Sequence, residues 1–287
     1  MKEIVIASGK GGTGKTVITA SLGVVAENKV LADADVDAAN LHLLVNPKIQ
    51  ETYTFHGGKK ASIDYEKCEN CGKCQEFCRF GAIYKEGEKY FIDEYACEGC
   101  GVCYLVCPHQ AIKLEIEETG EFFVSSTPYG PLVHAQLGIA QENSGKLVSV
   151  VREKARELAV KEGLEYILID GPPGIGCPVI SALSGVNTAL IVTEPTLSGI
   201  HDMERVIGVA YHFGVKVFLL INKFDINPKN CYQIEEFAQQ NNIEVIGKIP
   251  FHEKIIDAVK RRIPPVEVMD KSFKKTIIEL WERLREA

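Results

Sequence analysis

The chain has 287 residues, 46% of them hydrophobic and 25% charged, with a formal net charge of −7. That size holds one large α/β domain or two smaller ones, and the acidic balance argues against nucleic acid as a partner, because a nucleic-acid face is basic. No run approaches the roughly 18 apolar residues of a membrane span. The start passes into a strand without a cleavable apolar stretch, which reads as cytoplasmic, and ten cysteines in that setting point to metal rather than disulfides.

Ile4-Val5-Ile6-Ala7 reads as a buried strand and Val17 to Ala26 as a helix, with Ser8-Gly9-Lys10-Gly11-Gly12-Thr13-Gly14-Lys15-Thr16 between them. Gly9, Gly14, Lys15 and Thr16 meet the G-x-x-x-x-G-K-[ST] pattern in the strand–loop–helix context of a phosphate-binding loop. The glycines let backbone N–H groups turn inward around phosphate oxygens, and the helix N-terminus adds partial positive charge. Lys15 is assigned to the outer phosphates and the Thr16 hydroxyl to Mg²⁺. The next strand, Val30-Leu31-Ala32, ends in Asp33-Ala34-Asp35-Val36-Asp37. Clustered carboxylates there suit the edge of a nucleotide site, where they hold Mg²⁺-bound water; Asp33 is read as structural and Asp37 as a group near the metal shell.

A strand and turn from Tyr53 to Lys60 close this first part, with Gly57-Gly58-Lys59-Lys60 as a hinge into an insertion. Eight cysteines follow in two identical C-x₂-C-x₂-C-x₃-C spacings: Cys68, Cys71, Cys74, Cys78 and Cys97, Cys100, Cys103, Cys107. The halves repeat at an offset of 29, pairing Asp64 with Asp93, Gly72 with Gly101 and Ala82-Ile83 with Ala111-Ile112. Such a duplication is the signature of a two-cluster bacterial ferredoxin. Three thiolates of one loop face one cube and the fourth turns to the other. The expected sets are therefore Cys68, Cys71, Cys74 with Cys107, and Cys97, Cys100, Cys103 with Cys78. Two zinc ions are the alternative; the repeated fourth cysteine and Pro108 favour iron–sulfur. Arg79 stands where many ferredoxins carry proline, and its charge is expected to raise the potential of one cluster.

Alternation from Leu114 to Val124 predicts a strand, and Pro128-Tyr129-Gly130-Pro131 a turn. Asn143 or Ser144 is suited to cap a helix over 146–162, and Lys146 is a candidate interface residue. Tyr166-Ile167-Leu168-Ile169-Asp170 is an apolar strand ending in an aspartate placed to hold Mg²⁺. Further buried strands are expected over 189–193 and 217–221, the latter ending in Asn222-Lys223-Phe224-Asp225. The stretch from Phe273 to Leu284 is amphipathic with mixed charges on its polar face, so it is expected to pack on its own domain rather than on lipid. Cys231 is isolated and read as structural.

Lys10 sharpens the loop: Lys-Gly-Gly-Thr-Gly-Lys-Thr resembles the deviant Walker A motif of the MinD/ParA/Mrp/nitrogenase-iron-protein class of ATPases. The resemblance implies that Lys10 reaches across an ATP-driven homodimer to the partner's nucleotide, and that Asp35, in switch I, positions or activates the attacking water. Gly171-Pro172-Pro173-Gly174-Ile175-Gly176 is similar to switch II of the Mrp-like branch, a loop that carries γ-phosphate state elsewhere. Asn222 resembles an adenine-recognising residue, and Ile249-Pro250-Phe251 the loop that covers the base. Cys177 falls where the nitrogenase iron protein has a cluster ligand. No second cysteine stands near 142–144, and there is no C-terminal C-x-x-C, so Cys177 is read as a transient ligand or a small buried residue.

The expected fold is a mostly parallel α/β sheet with helices on both faces, built from 1–59 and 116–287, with an inserted α+β ferredoxin-like domain over 60–115. The expected cofactors are ATP, Mg²⁺ and two [4Fe–4S] clusters, with Gly9 to Thr16, Asn222 and Pro250 on the nucleotide. Three functions are carried forward: iron–sulfur or mixed-metal cofactor assembly, ATP-gated electron donation to an unidentified acceptor protein, and a MinD-like positioning switch. Neither nucleic acid nor membrane is expected as a partner.

Overall fold

The computed structural model describes residues 1–138 and 144–287. In chain order the elements are β1 (Lys2–Ser8), α1 (Lys15–Val25), β2 (Lys29–Asp33), α2 (Leu41–Val45), β3 (Lys48–Phe55), β4 (Gly58–Ile63), α3 (Lys73–Glu76), β5 (Ile83–Glu86), β6 (Lys89–Ile92), α4 (Val102–Val106) and β7 (Ile112–Glu117). The chain continues through β8 (Gly120–Thr127), β9 (Gly130–Leu137), α5 (Ser144–Glu162), β10 (Tyr166–Pro173), α6 (Cys177–Leu183), β11 (Thr188–Thr193), α7 (Leu197–His212), β12 (Lys216–Asn222), α8 (Pro228–Gln240), β13 (Glu244–Ile249), α9 (Glu253–Lys260), α10 (Pro265–Val268) and α11 (Lys271–Glu286). Two compact units result: one of Met1–Tyr53, Phe122–Gln136 and Ser144–Ala287, the other of Thr54–Glu121 with the segment that begins at Leu137.

The larger unit is built on a nine-stranded sheet ordered β13-β12-β11-β1-β10-β2-β9-β8-β3. From β13 to β9 neighbouring strands pair in parallel. Such strands read as nearly unbroken apolar runs because helices cover both faces, and Ile4, Ile6, Leu168, Leu190 and Leu220 are fully buried. The amphipathic C-terminal helix joins this core through Phe273, Ile277, Leu280, Trp281 and Leu284, so its apolar face is spent on its own unit. Among the described residues no helix is long and apolar enough to cross a membrane.

Two sequence expectations shift in detail. The strand expected over 114–124 is two strands, β7 and β8, broken at Glu118-Thr119. There Thr119 donates its N–H to Phe55 O at 2.9 Å and its hydroxyl accepts from Gly57 N at 2.7 Å, which ends the alternation. The turn expected over 128–131 shrinks to Pro128-Tyr129, since β9 already begins at Gly130. Asn143 as a cap, and the neighbourhood of Glu142, lie outside the described residues.

The smaller unit repeats its own architecture. β4 pairs antiparallel with β7 and β5 with β6. Gly72 and Gly101 cap the two short helices α3 and α4 in the left-handed conformation, at φ 79° and 78°. Asp64 and Asp93 each accept the N–H two residues on, from Glu66 and Tyr95. The core mixes Ala61, Ile83, Tyr90 and Ile112 with Cys97 and Cys103. The duplication read at an offset of 29 is thus repeated in backbone conformation as well as in cysteine spacing.

His134 on β9 is buried in the larger unit, stacked on His42 and Phe123, with Nε2 at 3.1 Å from Ser125 Oγ. Burial, helped by His42, holds its imidazole down to about 4. The folded value lies below the unfolded one, so the stabilisation is complete above about pH 6.5 and is lost as pH falls toward 4. Denaturant unfolding should show a loss of about 2 kcal/mol from this residue between pH 7 and pH 5, and His134→Gln should remove that part of the pH slope.

Candidate nucleotide site and cysteine cages

The loop between β1 and α1 frames a cavity of about 590 Å³, lined by Gly11, Gly12, Gly14, Lys15 and Thr16 on one side and by Asp35, Ala38, Asn40 and Pro173 on another. Gly14 is the N-cap of α1 at φ 101°, a conformation that side chains resist. A Cβ there would lie 2.5 Å from Asn222 Nδ2. Lys15 is buried, at 6% exposure, and its charge acts on Asp35 and Asp170. A buried ammonium at a helix N-terminus adds positive charge where the macrodipole is already positive, an arrangement that an anion relieves. Gly9 and Thr13 do not line the cavity; Thr13 is buried with its Oγ1 unpartnered.

Asp170 follows the apolar run of β10 and sits in register with Asp33 on β2. Both are fully buried. Burial pushes the Asp170 carboxyl up to about 6 against the pull of Thr16, Lys15 and Thr19. Thr19 Oγ1 donates to Asp170 Oδ1 at 2.9 Å; the Thr16 hydroxyl is close enough to lower the carboxyl, yet among the described residues Oδ2 has no partner in hydrogen-bonding geometry. An orphaned carboxylate oxygen beneath a phosphate loop fits a hydrated divalent cation. Asp33 carries a structural load, as expected: Oδ1 accepts from Asp35 N at 3.2 Å and Oδ2 from Leu41 N at 3.0 Å, fixing both ends of the loop that presents Asp35. Asp35 lines the cavity and burial raises its carboxyl; Asp37 is exposed and acts on Asp35 by its charge.

Lys10 turns back along its own chain. Its ammonium meets Glu194 Oε1 at 2.7 Å, Ser198 Oγ at 3.0 Å and Thr196 Oγ1 at 3.1 Å. The other oxygen of Glu194 holds Lys223 at 2.8 Å, and Lys223 Nζ also donates to Gly12 O at 3.1 Å. None of this was foreseen. Lys223 has φ 53°, with its N–H donated to Asn222 Oδ1 at 3.0 Å. Asn222 Nδ2 donates to Thr13 O at 2.7 Å. The amide nitrogen of Asn222 therefore braces the P-loop while its oxygen holds the turn at Lys223, and the residue also borders a second cavity of about 260 Å³, lined by Val17, Ile249, Pro250, Phe251 and Ile255. That cavity adjoins the first at Gly12 and Gly14 and has the flat apolar walls that suit a base.

In the smaller unit, one cavity is framed by Cys68, Cys71, Cys74 and Cys107, and another by Cys78, Cys97, Cys100 and Cys103. These are the two crossed sets expected from spacing. Burial pushes the Cys74 thiol up and the Cys103 thiol up to about 11, which favours the protonated form at both positions. As the side chains stand, no three His, Cys, Asp or Glu among the described residues converge closely enough to hold a metal ion. Cys177, at the start of α6, is exposed rather than buried, because it opens the helix after switch II; Cys231 is buried in α8.

Residues 4–266 match the family model described as the CobQ/CobB/MinD/ParA nucleotide binding domain. An uncharacterized protein of Methanocaldococcus jannaschii is 33% identical over 287 residues, covering 99% of this chain and 96% of that relative. The septum site-determining protein MinD of Thermotoga maritima is 26% identical over 292 residues, covering 98% and 87%. Among solved structures, MinD of Pyrococcus horikoshii OT3 complexed with Mg-ADP aligns with a TM-score of 0.60 at 20% identity, covering 99% of this chain and 95% of that one. That last likeness is one of fold, the mostly parallel α/β sheet with flanking helices.

Gly14→Ala tests the site. The substitution drives a methyl into the Asn222 amide and forces a positive φ on alanine, at a cost on the order of 1–3 kcal/mol. The thermal shift that Mg-ADP gives the wild-type chain should vanish in the variant; a shift of wild-type size would contradict the assignment.

Proposed function

The chain belongs to the CobQ/CobB/MinD/ParA nucleotide-binding family, and from that footing we propose that it is a MinD-like, Mg-ATP-dependent ATPase switch that dimerises on binding ATP. The named relatives are MinD proteins, so the comparisons favour this reading over cofactor assembly, which none of them supports. The observation that carries it is the cavity shared by Gly11, Gly12, Gly14, Lys15, Thr16 and Asp35, with the orphaned Asp170 Oδ2 beneath it.

In the proposed cycle Lys15 and the P-loop amides hold the outer phosphates, and Thr16 with Asp170 holds hydrated Mg²⁺. Asp35, fixed by Asp33 through the loop, orients the attacking water. Asn222 keeps the P-loop in shape and, with Pro250, borders the base. Lys10 leaves Glu194 to reach the nucleotide of the second copy. Light scattering should show a dimer with Mg-ATP and a monomer with Mg-ADP. Lys10→Ala should stay monomeric with either nucleotide while still binding both; a variant that dimerises like wild type would refute the role of Lys10.

A second reading is favoured by one observation, the pair of four-cysteine cages. We propose that each holds a [4Fe–4S] cluster, one on Cys68, Cys71, Cys74 and Cys107, the other on Cys97, Cys100, Cys103 and Cys78. Such a cluster supplies one-electron transfer when bound, which makes the chain a candidate ATP-gated donor or a participant in metallocofactor assembly, working with an acceptor protein. Anaerobic reconstitution should give about eight iron atoms per chain, and Cys71→Ser or Cys100→Ser should each remove about half. Two zinc ions and no iron would overturn the assignment. Electron transfer to an acceptor dye whose rate changes with nucleotide would favour gating, and an unchanged rate would leave the switch reading alone in place.

A further inference from the structure

The two adjoining cavities meet under the C-terminal end of α9. Val259 and Lys260 border both of them, whereas Arg262 borders only the larger one, with Lys15, Thr16 and Asp35. The P-loop supplies its cation, Lys15, from one wall, and the cations on the α9 side of the larger cavity are Lys260 and Arg262. Among the described residues neither forms an ion pair with a carboxylate. Arg262 lines the larger cavity together with Asp35 and with Leu43 and Leu44 of α2, and its charge adds to the burial that lowers the pKa of His42 on the same helix. Its backbone is left-handed, φ 57°, closed by its N–H on Val259 O at 3.0 Å, which turns the chain sharply after α9.

We propose that Lys260 and Arg262 are a second cationic arm of the site, clamping the phosphates of the bound nucleotide from the side opposite the P-loop. The inference rests on reading the two cavities as one nucleotide site. A nucleotide with its base in the apolar cavity and its tail on Lys15 passes beneath Val259–Lys260 on the way. Lys260, at the junction, meets the part of the tail common to ADP and ATP. Arg262, further from the base cavity and on the Asp35 side, meets the terminal phosphate. A guanidinium suits that place because its planar fork takes two phosphate oxygens at once. Phe251, Ile256 and Val259 are 43%, 46% and 40% exposed along the same face, apolar surface that a base and ribose would cover.

Calorimetric titration of the full chain with Mg-ADP and with Mg-ATPγS, at fixed ionic strength, tests this. Arg262→Ala should weaken Mg-ATPγS by about tenfold, the scale of one charge-assisted contact, while changing Mg-ADP by less than about twofold; Arg262→Lys should recover part of the loss. Lys260→Ala should weaken both nucleotides alike. Both residues are exposed, so unchanged melting temperatures are expected and keep folding out of the comparison. Variants that bind both nucleotides as wild type does would overturn the clamp alone, as would an Arg262→Ala loss equal for the two nucleotides. A wild-type chain that binds neither nucleotide would overturn the nucleotide reading and the clamp with it.

Discussion

Two carboxylates buried side by side set the terms for the larger unit. Asp33 at the end of β2 and Asp170 within β10 stand in register on adjacent parallel strands, with no exposure to water. Burying one carboxylate costs several kcal/mol unless it is paired or hydrogen-bonded, and a second beside it adds repulsion. The structure offsets this with two backbone N–H groups on Asp33 and the Thr19 hydroxyl on Asp170. Those donors come from both ends of the loop after β2 and from α1. Satisfying the pair therefore fixes where Asp35 stands and how α1 is seated, and the Oδ2 left over points to the cation that would complete the balance.

What was legible in the sequence was local. The P-loop, the Asp170 strand and the duplicated cysteines are short motifs whose residues act within a few positions of one another, so spacing alone carries them. The features that escaped are contacts between distant segments. Asn222 bonds a carbonyl 209 positions away, and Lys10 meets Ser198 across 188. The break at Thr119 depends on Phe55 and Gly57, which no alternation count includes. Of the two readings of Cys177, the buried one fails because residue type says small and apolar, while its place at the first turn of α6 leaves it in water.

The insertion also has a physical logic at its ends. Chain leaves the larger unit after Tyr53 and returns at Phe122, on β3 and β8, which are neighbours in the sheet. The two rings stack at 4.8 Å, and Lys154 lies 4.5 Å over the Tyr53 ring. Fixing both ends of a long excursion costs loop entropy that grows only logarithmically with length, so a clasp of this kind tolerates a whole folded module between its jaws. The same sheet can then carry the family's ATPase machinery and an eight-cysteine module without a change to its own core.

A last consequence follows from the arginines of α5. Arg152 donates to the carbonyls of Ser181 and Ser184 at the C-terminal end of α6, and with Arg156 it also holds Glu3 of β1. One end of α6 is thereby tied to the sheet, while the other begins at the exposed Cys177, directly after Gly171–Gly176. A seven-residue helix is about 10 Å long. Its Cys177 end packs closely on Gly145 of α5, where a Cβ would lie 3.3 Å from the Cys177 backbone. The exposed thiol of Cys177 therefore stands beside Gly171–Gly176 at one end of α6, while the other end is tied through Arg152 to Glu3 of β1.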